Sequence, residues 1–218
     1  MCDTIARMKI TKLGHCCLIV EEKGVRFMTD PGAYSTLQDE ARNIDFIFIT
    51  HEHPDHLHIE SLKTVLKNNP KANIVSNNSV GKILEKEGIP YQLLEHGAIG
   101  EFSGICVEGF GEQHAVIYQE FGQVQNTGYF FQNRLFYPGD AFYNPHRPVE
   151  ILALPVGGPW LKISDAIEYA LTLKPKVCFP VHDGMLRFNQ VTRLIPQTFL
   201  PPAGIEFRDA GEGTELSF

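Results

Sequence analysis

Thr50-His51-Glu52-His53-Pro54-Asp55-His56 is the stretch on which the reading of this chain turns. It follows the β-branched and aromatic run 45–50, which predicts a buried strand, and precedes 59–67, where Ile59, Leu62, Val65 and Leu66 fall at helical spacing. Four potential metal ligands therefore crowd into six positions of a strand-to-helix loop. A solvated polar loop would explain any one of these histidines, but the co-occurrence of all four side chains points to metal binding. His51 and His53 are two apart on extended backbone, so their imidazoles can face the same way and share one cation. Pro54 breaks the extended run and turns Asp55 and His56 toward a neighbouring position, where they offer an oxygen and a nitrogen donor. His58 falls outside this spacing, at the start of the helix, and is expected at the surface or behind the ligands.

Toward the N-terminus, 9–13, 16–21 and 25–29 read as short strands, with Glu22, Lys23 and Gly24 as the turn between the last two. Toward the C-terminus come a strand at 72–76, a helix at 79–87 stopped by Gly88, and strands at 91–94 and 105–110. The stretch 111–127 reads partly as loop. Strands at 128–132 and 134–137 then form a hairpin-like pair around Asn133. A strand at 150–155, a helix from Ser164 to position 173 and a strand at 176–181 follow. The tail carries a short helix at 189–195 ended by Pro196, and two short extended segments at 205–208 and 214–218. These patterns predict a mixed α/β protein and leave its topology open. No repeat or linker divides the chain, so 1–218 is read as a single domain.

The bulk properties narrow the function classes. Hydrophobic residues make up 43% and charged residues 21% of the 218, ordinary globular usage. A net charge of −7 without long charged blocks gives no electrostatic reason to hold nucleic acid. No apolar run reaches the roughly 18 to 20 residues of a membrane helix, and 1–12 lacks the apolar core of a signal peptide, so a cytoplasmic address without membrane insertion is expected. Five cysteines, Cys2, Cys16, Cys17, Cys106 and Cys178, form no C-x-x-C pair and argue against a disulfide framework or zinc ribbon. They are expected mostly as buried small hydrophobes, with Cys178 packed in the core.

The strand-T-H-x-H-x-D-H-helix pattern resembles the metallo-β-lactamase superfamily, and further motifs of that family recur in order along the chain. Thr29-Asp30-Pro31-Gly32 is similar to the first, Gln113-His114 to the third, Tyr137-Pro138-Gly139-Asp140 to the fourth and Pro180-Val181-His182 to the fifth. The resemblance implies a four-layer αβ/βα sandwich. It implies that His51, His53 and His114 hold a first metal, that Asp55, His56 and His182 hold a second, and that Asp140 bridges both. Asp30 is implied as a carboxylate that orients a ligand without ligating, although an Asp-Pro-Gly turn explains it equally. Gly14 to Val20 and Leu154 to Gly158 resemble the small hydrolases related to L-ascorbate-6-phosphate lactonase. His15 is expected to pack or hydrogen-bond at the end of the first hairpin, and Phe142, Tyr143, Asn144, His146 and Trp160 to pack or lie on surface loops. Ala141 and Asp183 depart from the family, with a hydroxyl residue and a tyrosine common at those places, which weakens any substrate contact there.

The expected activity is metal-dependent hydrolysis of an ester, lactone or phosphoester in a small molecule, with a hydroxide on two divalent cations as nucleophile and Asp55 and Asp140 handling its proton. Zinc suits the histidine and carboxylate donors best, and the same set accepts manganese, iron or nickel. The alternatives are a non-catalytic metal-binding or regulatory module and a phosphodiesterase acting on a nucleotide or phospholipid. A diiron redox role is disfavoured because that branch places Glu where His53 stands. The nucleic-acid processing branch is disfavoured because the 41 residues between Asp140 and His182 are too few for its inserted domain. An antibiotic-destroying lactamase is disfavoured by the missing export signal.

Overall fold

The structure is a computed structural model that describes residues 7–218. Cys2, and the first half of the stretch read for a signal peptide, lie outside the described residues. Strands β1 (Lys9–Gly14), β2 (Cys17–Glu22) and β3 (Val25–Thr29) open the chain, followed by β4 (Phe46–Ile49), helix α1 (Ile59–Asn68), β5 (Asn73–Ser76), α2 (Asn78–Lys86) and β6 (Tyr91–Leu93). The second half runs β7 (Ile99–Phe102), β8 (Ile105–Phe110), β9 (Gly128–Phe131), β10 (Leu135–Tyr137), β11 (Ile151–Pro155), α3 (Ile163–Leu173), β12 (Val177–Val181) and α4 (Gln190–Phe199). It ends with β13 (Glu206–Phe207) and β14 (Glu215–Ser217).

Two seven-stranded sheets result, in the orders β14-β1-β2-β3-β4-β5-β6 and β13-β12-β11-β10-β9-β8-β7. Alternation along each strand sorts the apolar residues between the two faces of each sheet. Leu18, Val20, Phe27 and Phe48 of the first sheet and Phe131, Tyr137, Ala153 and Phe179 of the second form the core between the sheets. Cys17, Ile19, Met28 and Ile47 turn the other way, onto Leu62 and Val65 of α1 and Val80 and Leu84 of α2. Phe130, Phe136, Leu152 and Cys178 cover Ala166, Ile167 and Ala170 of α3 on the far side. The arrangement is the four-layer αβ/βα sandwich that the resemblance implied. Among the described residues no helix is long and apolar enough to cross a membrane.

Three details differ from the sequence reading. The strand β7 is unforeseen, because exposed Ile99 and the interior Gly100 leave it little alternation, and antiparallel pairing to β8 supplies its order. The last helix runs through Pro196 to Phe199. A proline removes one helical hydrogen bond, but Pro196 is the buried residue of α4, and its packing offsets that loss. Short 3-10 turns at Leu37–Glu40 and Pro201–Ala203 were also not foreseen.

The parallel pairings β3-β4 and β10-β11-β12 place the candidate ligands. Asp30 directly follows β3, His51 comes just after β4, Asp140 lies just beyond β10 and His182 directly follows β12. Carboxyl ends of parallel strands are where open α/β sheets hold their ligands.

Candidate metal centre

Asp30 organises the floor of the site. It is fully buried, and its Oδ1 accepts from the Thr50 N–H at 2.7 Å. Its Oδ2 accepts from Thr50 Oγ1, Tyr137 Oη and His56 Nδ1, each at 2.7 Å. The carboxylate of the Asp-Pro-Gly motif is thus hydrogen-bonded to a histidine, while its backbone carbonyl accepts from the Gly32 N–H at 2.8 Å in a local turn. His56 thus carries a proton on Nδ1, and its Nε2 faces Asp140 Oδ1 at 3.1 Å. The same logic reaches His51 through Thr50. The threonine gives its only proton to Asp30, so at 3.0 Å it accepts from His51 Nδ1 and leaves Nε2 of that ring facing inward. His114 donates Nδ1–H to the Ala115 carbonyl at 2.5 Å, and its Nε2 lies 3.2 Å from Asp140 Oδ2.

The loop geometry depends on two glycines. A Cβ on Gly32 would meet the Asp55 carbonyl oxygen at 1.8 Å, so only glycine lets the loop after β3 pass beneath the histidine cluster. Gly139 adopts φ +65°, and a Cβ there would meet Asn126 Oδ1 at 2.3 Å. Asn126 in turn accepts from the Asp140 N–H at 3.0 Å, which fixes the carboxylate that follows.

All seven sequence-predicted ligands come together. One donor atom each from His51, His53 and His114 lies within 4.8 Å of the others, and His51, His56 and Asp140 form a second such group. Asp55 Oδ2 lies 3.4 Å from His182 Nε2, which is itself 2.8 Å from Asp140 Oδ2. These close approaches are not mutual hydrogen bonds. His51 Nε2, His56 Nε2, His182 Nε2 and Asp140 Oδ1 are buried without a hydrogen-bond partner. Buried polar atoms are rarely left unpaired, and several aimed into one small space fit a cation site.

Charge is distributed unevenly over this space. Burial and the neighbouring His56 push His51 well below the ordinary histidine value, and burial with His114 lowers His53. Burial opposes charging His56, but Cys16, Asp140 and Asp30 outweigh it and raise its pKa well above that value. His182 is raised likewise, with Asp140 the largest influence against burial. Asp140 is held well below the usual carboxylate range, since His56 and His182 overcome the effect of burial. His15 and His182 do the same for Asp55.

Three side chains escaped the sequence reading. Trp160, expected to pack or lie on a surface loop, donates Nε1–H to Asp140 Oδ2 at 2.8 Å. His15 does hydrogen-bond at the end of its hairpin, but its partner is Asp55 Oδ2, 3.2 Å from Nε2, and its ring centroid lies 4.3 Å from that of His182. Burial disfavours charge on His15 while Cys16 and Asp55 favour it and raise its pKa. The Gly184 N–H donates to His15 Nδ1 at 3.0 Å, a lone pair that a doubly protonated ring lacks, so the proton sits on Nε2 and points at Asp55. Cys16, expected as an inert core thiol, groups with His15, His56 and His182 within 4.8 Å. Burial pushes its thiol up, but these histidines outweigh burial and bring it to about 6. The signal available for all three was adjacency to a motif, Gly14-His15-Cys16 and Gly157-Gly158-Pro159-Trp160, without the partner across the fold.

The remaining positions behave as packing or caps. His58 accepts from the Ser61 N–H as the N-cap of α1. Phe142 packs on Trp160 and Tyr169, and His146 is exposed. Asp183 turns away from the site to Lys12 Nζ at 2.6 Å and Arg193 Nη2 at 2.9 Å. Cys178 is a core thiol, pushed up to about 12 by burial. The cleft above the ligands, about 160 Å³, is lined by His53, Asp55, His114, Asp140 and His182 together with Tyr34, Ile117, Pro159, Trp160 and Met185. A larger cavity of about 450 Å³ lies beside Arg26, Asp45 and Lys71 at the opposite ends of β3, β4 and β5, away from the candidate ligands.

Comparison with known proteins bears on the family and the fold. The family model described as a beta-lactamase superfamily domain matches residues 9–182. Protein Rv0786c of Mycobacterium tuberculosis is 33% identical over 184 residues, covering 82% of this chain and 85% of the relative. The UPF0173 metal-dependent hydrolase of Carboxydothermus hydrogenoformans is 27% identical over 194 residues, covering 80% and 84%. Among solved structures, Igni18, a metallo hydrolase from the hyperthermophilic archaeon Ignicoccus hospitalis, superposes with a TM-score of 0.78 at 20% identity, covering 97% of this chain and 98% of that one.

Proposed function

The chain belongs to the metallo-β-lactamase superfamily and is a metal-dependent hydrolase, and from that premise we propose how its residues divide the work. In this reading 1–218 acts as one hydrolase domain on a small-molecule substrate. His51, His53 and His114 would hold one divalent cation and Asp55, His56 and His182 a second, with Asp140 serving both. Zinc is the leading metal for this donor set. When bound, the cations supply Lewis acidity and a water whose pKa is brought toward neutrality.

The chain's own groups do the rest. Asp30 holds the Nδ1 proton of His56 and, through Thr50, that of His51, so both rings offer Nε2. His15 hydrogen-bonds Asp55 Oδ2 and Trp160 hydrogen-bonds Asp140 Oδ2, the same oxygens that lie nearest His182 Nε2, so each neighbour fixes the orientation of its carboxylate within the centre. Hydrolysis would join the water's oxygen to the carbonyl or phosphoryl atom and break the bond to the leaving oxygen, with Asp55 and Asp140 placed to pass the water's proton to that oxygen.

The observation that carries this reading is the set of buried, unpartnered ring nitrogens converging on Asp140. Its test is a panel of esters, lactones and phosphoesters presented to metal-loaded and chelator-stripped protein. Turnover restored by added cation is the expected result, and no metal-dependent turnover of any member would count against it.

A further inference from the structure

We propose that the substrate places an uncharged, apolar group beside the bond that is cut and carries no dianionic phosphate handle. The proposal rests on the hydrolase reading above and narrows it to a substrate class.

Apart from the candidate ligands, the cleft is walled by Tyr34, Ile117, Pro159, Trp160 and Met185, and none of its described lining residues is a lysine or arginine. The adjoining cavity behind His15 does contain Lys12 and Arg193, but both are committed. Lys12 Nζ donates to Asp183 at 2.6 Å, to the Pro180 carbonyl at 2.8 Å and to the Ala210 carbonyl at 3.2 Å, which uses all its protons. Arg193 is shared between Asp183 and Asp209. A phosphate held away from the reacting centre needs a cationic side chain or a set of free N–H groups. The walls of this cleft supply no cationic side chain for it.

The rim points the same way. The loop that contributes Ile117 also exposes Val116 (62%) and Phe121 (73%), and the segment that contributes Met185 also exposes Phe188 (74%), on whose ring the exposed Arg187 rests outside the cleft lining. Tyr118 and Phe121 bridge into a tight turn, and a Cβ on the following Gly122 would lie 2.6 Å from Ile117 Cδ1 and 3.7 Å from His53 Cε1, so this loop packs beside the His53 ring. Large apolar side chains left in water beside a site mark a binding surface. At about 160 Å³ the cleft is small beside the ~300–1,000 Å³ of pockets that enclose a whole drug-sized ligand. It therefore encloses a short apolar segment, and the remainder of the substrate rests on the rim.

The test uses the metal-loaded full chain and two chemical series. In p-nitrophenyl esters from acetate to hexanoate, kcat/KM rises at least about 10-fold, as expected for methylenes moved from water to an apolar wall. A phosphorylated lactone is a poorer substrate than its unphosphorylated counterpart. Ile117→Ser and Met185→Ser each compress the gain with chain length severalfold. Binding of the carboxylates acetate to hexanoate, measured by calorimetry, follows the same trend and does not depend on turnover. A flat profile in both series, or a preference for the phosphorylated lactone, overturns the proposal. A chain-length gain unaltered in both variants also overturns it, and would assign the exposed apolar rim to a partner such as a second copy of the chain. If no ester is hydrolysed yet the carboxylates bind with the predicted trend, the hydrolase reading fails and the apolar cleft stands.

Discussion

The two candidate cation positions sit side by side and are built on different supports. At the first, His51 and His114 donate their outer protons to neutral oxygens, the Thr50 hydroxyl and the Ala115 carbonyl. At the second, His56 donates to the Asp30 carboxylate, and Asp55 itself accepts from His15. A carboxylate behind a histidine raises the basicity of the ring toward a metal and toward a proton alike. At the first position burial disfavours charge on His51 and His53, whereas at the second His56 and His182 sit in a charged network in which protons compete with a cation. Two cations held as proposed would therefore differ in affinity and in response to pH.

The largest expected effect removes what the positions share. Asp140→Asn leaves both without their bridging carboxylate, so activity falls by at least about 1,000-fold and elemental analysis finds one cation or fewer per chain. Two cations and full activity in this variant would remove the bridge from the account. Asp30→Asn comes next and separates the positions. The amide no longer fixes the His56 tautomer, so affinity for the second cation drops about 10- to 100-fold while the first, supported only indirectly through Thr50, changes less. Equal losses at both positions would show that the supports are not distinct.

Acidification discriminates them without mutation. His56 and His182 are raised above the ordinary value of about 6.5, so in the metal-free protein they are protonated near neutrality and a cation must displace those protons. His51 and His53 are lowered, so proton competition at the first position begins only below that value. As pH falls from 8 to 6 under a fixed chelator concentration, the second cation is expected to leave first. Release of both together, or of the first alone, contradicts the charge asymmetry. The smallest effect is at His15. His15→Ala frees one oxygen of Asp55 and weakens the second cation by about 10-fold. His15→Gln, which can still donate an N–H, is expected to recover part of that loss and to lower kcat more than it raises KM. An alanine variant with unchanged affinity and kcat would make His15 merely a packing residue.

Much of this contrast was legible in the sequence, and its limits follow from what a linear pattern encodes. The first position is largely local: His51 and His53 are two residues apart, and only His114 arrives from elsewhere. The strand and helix around it were readable because the 45–50 run and the Ile59, Leu62, Val65 and Leu66 spacing carry strong periodicity. The four-layer architecture was not derivable from periodicity, which indicated mixed α/β only and needed the family resemblance. The supports of the second position were the least legible. His15, Trp160 and Cys16 act through partners 40, 20 and 40 residues away, in the pairs His15-Asp55, Trp160-Asp140 and Cys16-His56, and no local spacing announces such contacts. Thr29-Asp30-Pro31-Gly32 was visible as a motif, but only the placement of Thr50, His56 and Tyr137 around Asp30 distinguishes an orienting carboxylate from a turn. Pro196 and β7 were misread for the complementary reason: tertiary burial and strand pairing overrode local preference.

The pairing of the two positions is tested most directly by anomalous X-ray diffraction at the zinc edge on crystals of the zinc-loaded protein. The account predicts two anomalous peaks, one among His51, His53 and His114 and one among Asp55, His56 and His182, with Asp140 touching both. A single peak, or cations bound away from Asp140, would contradict it.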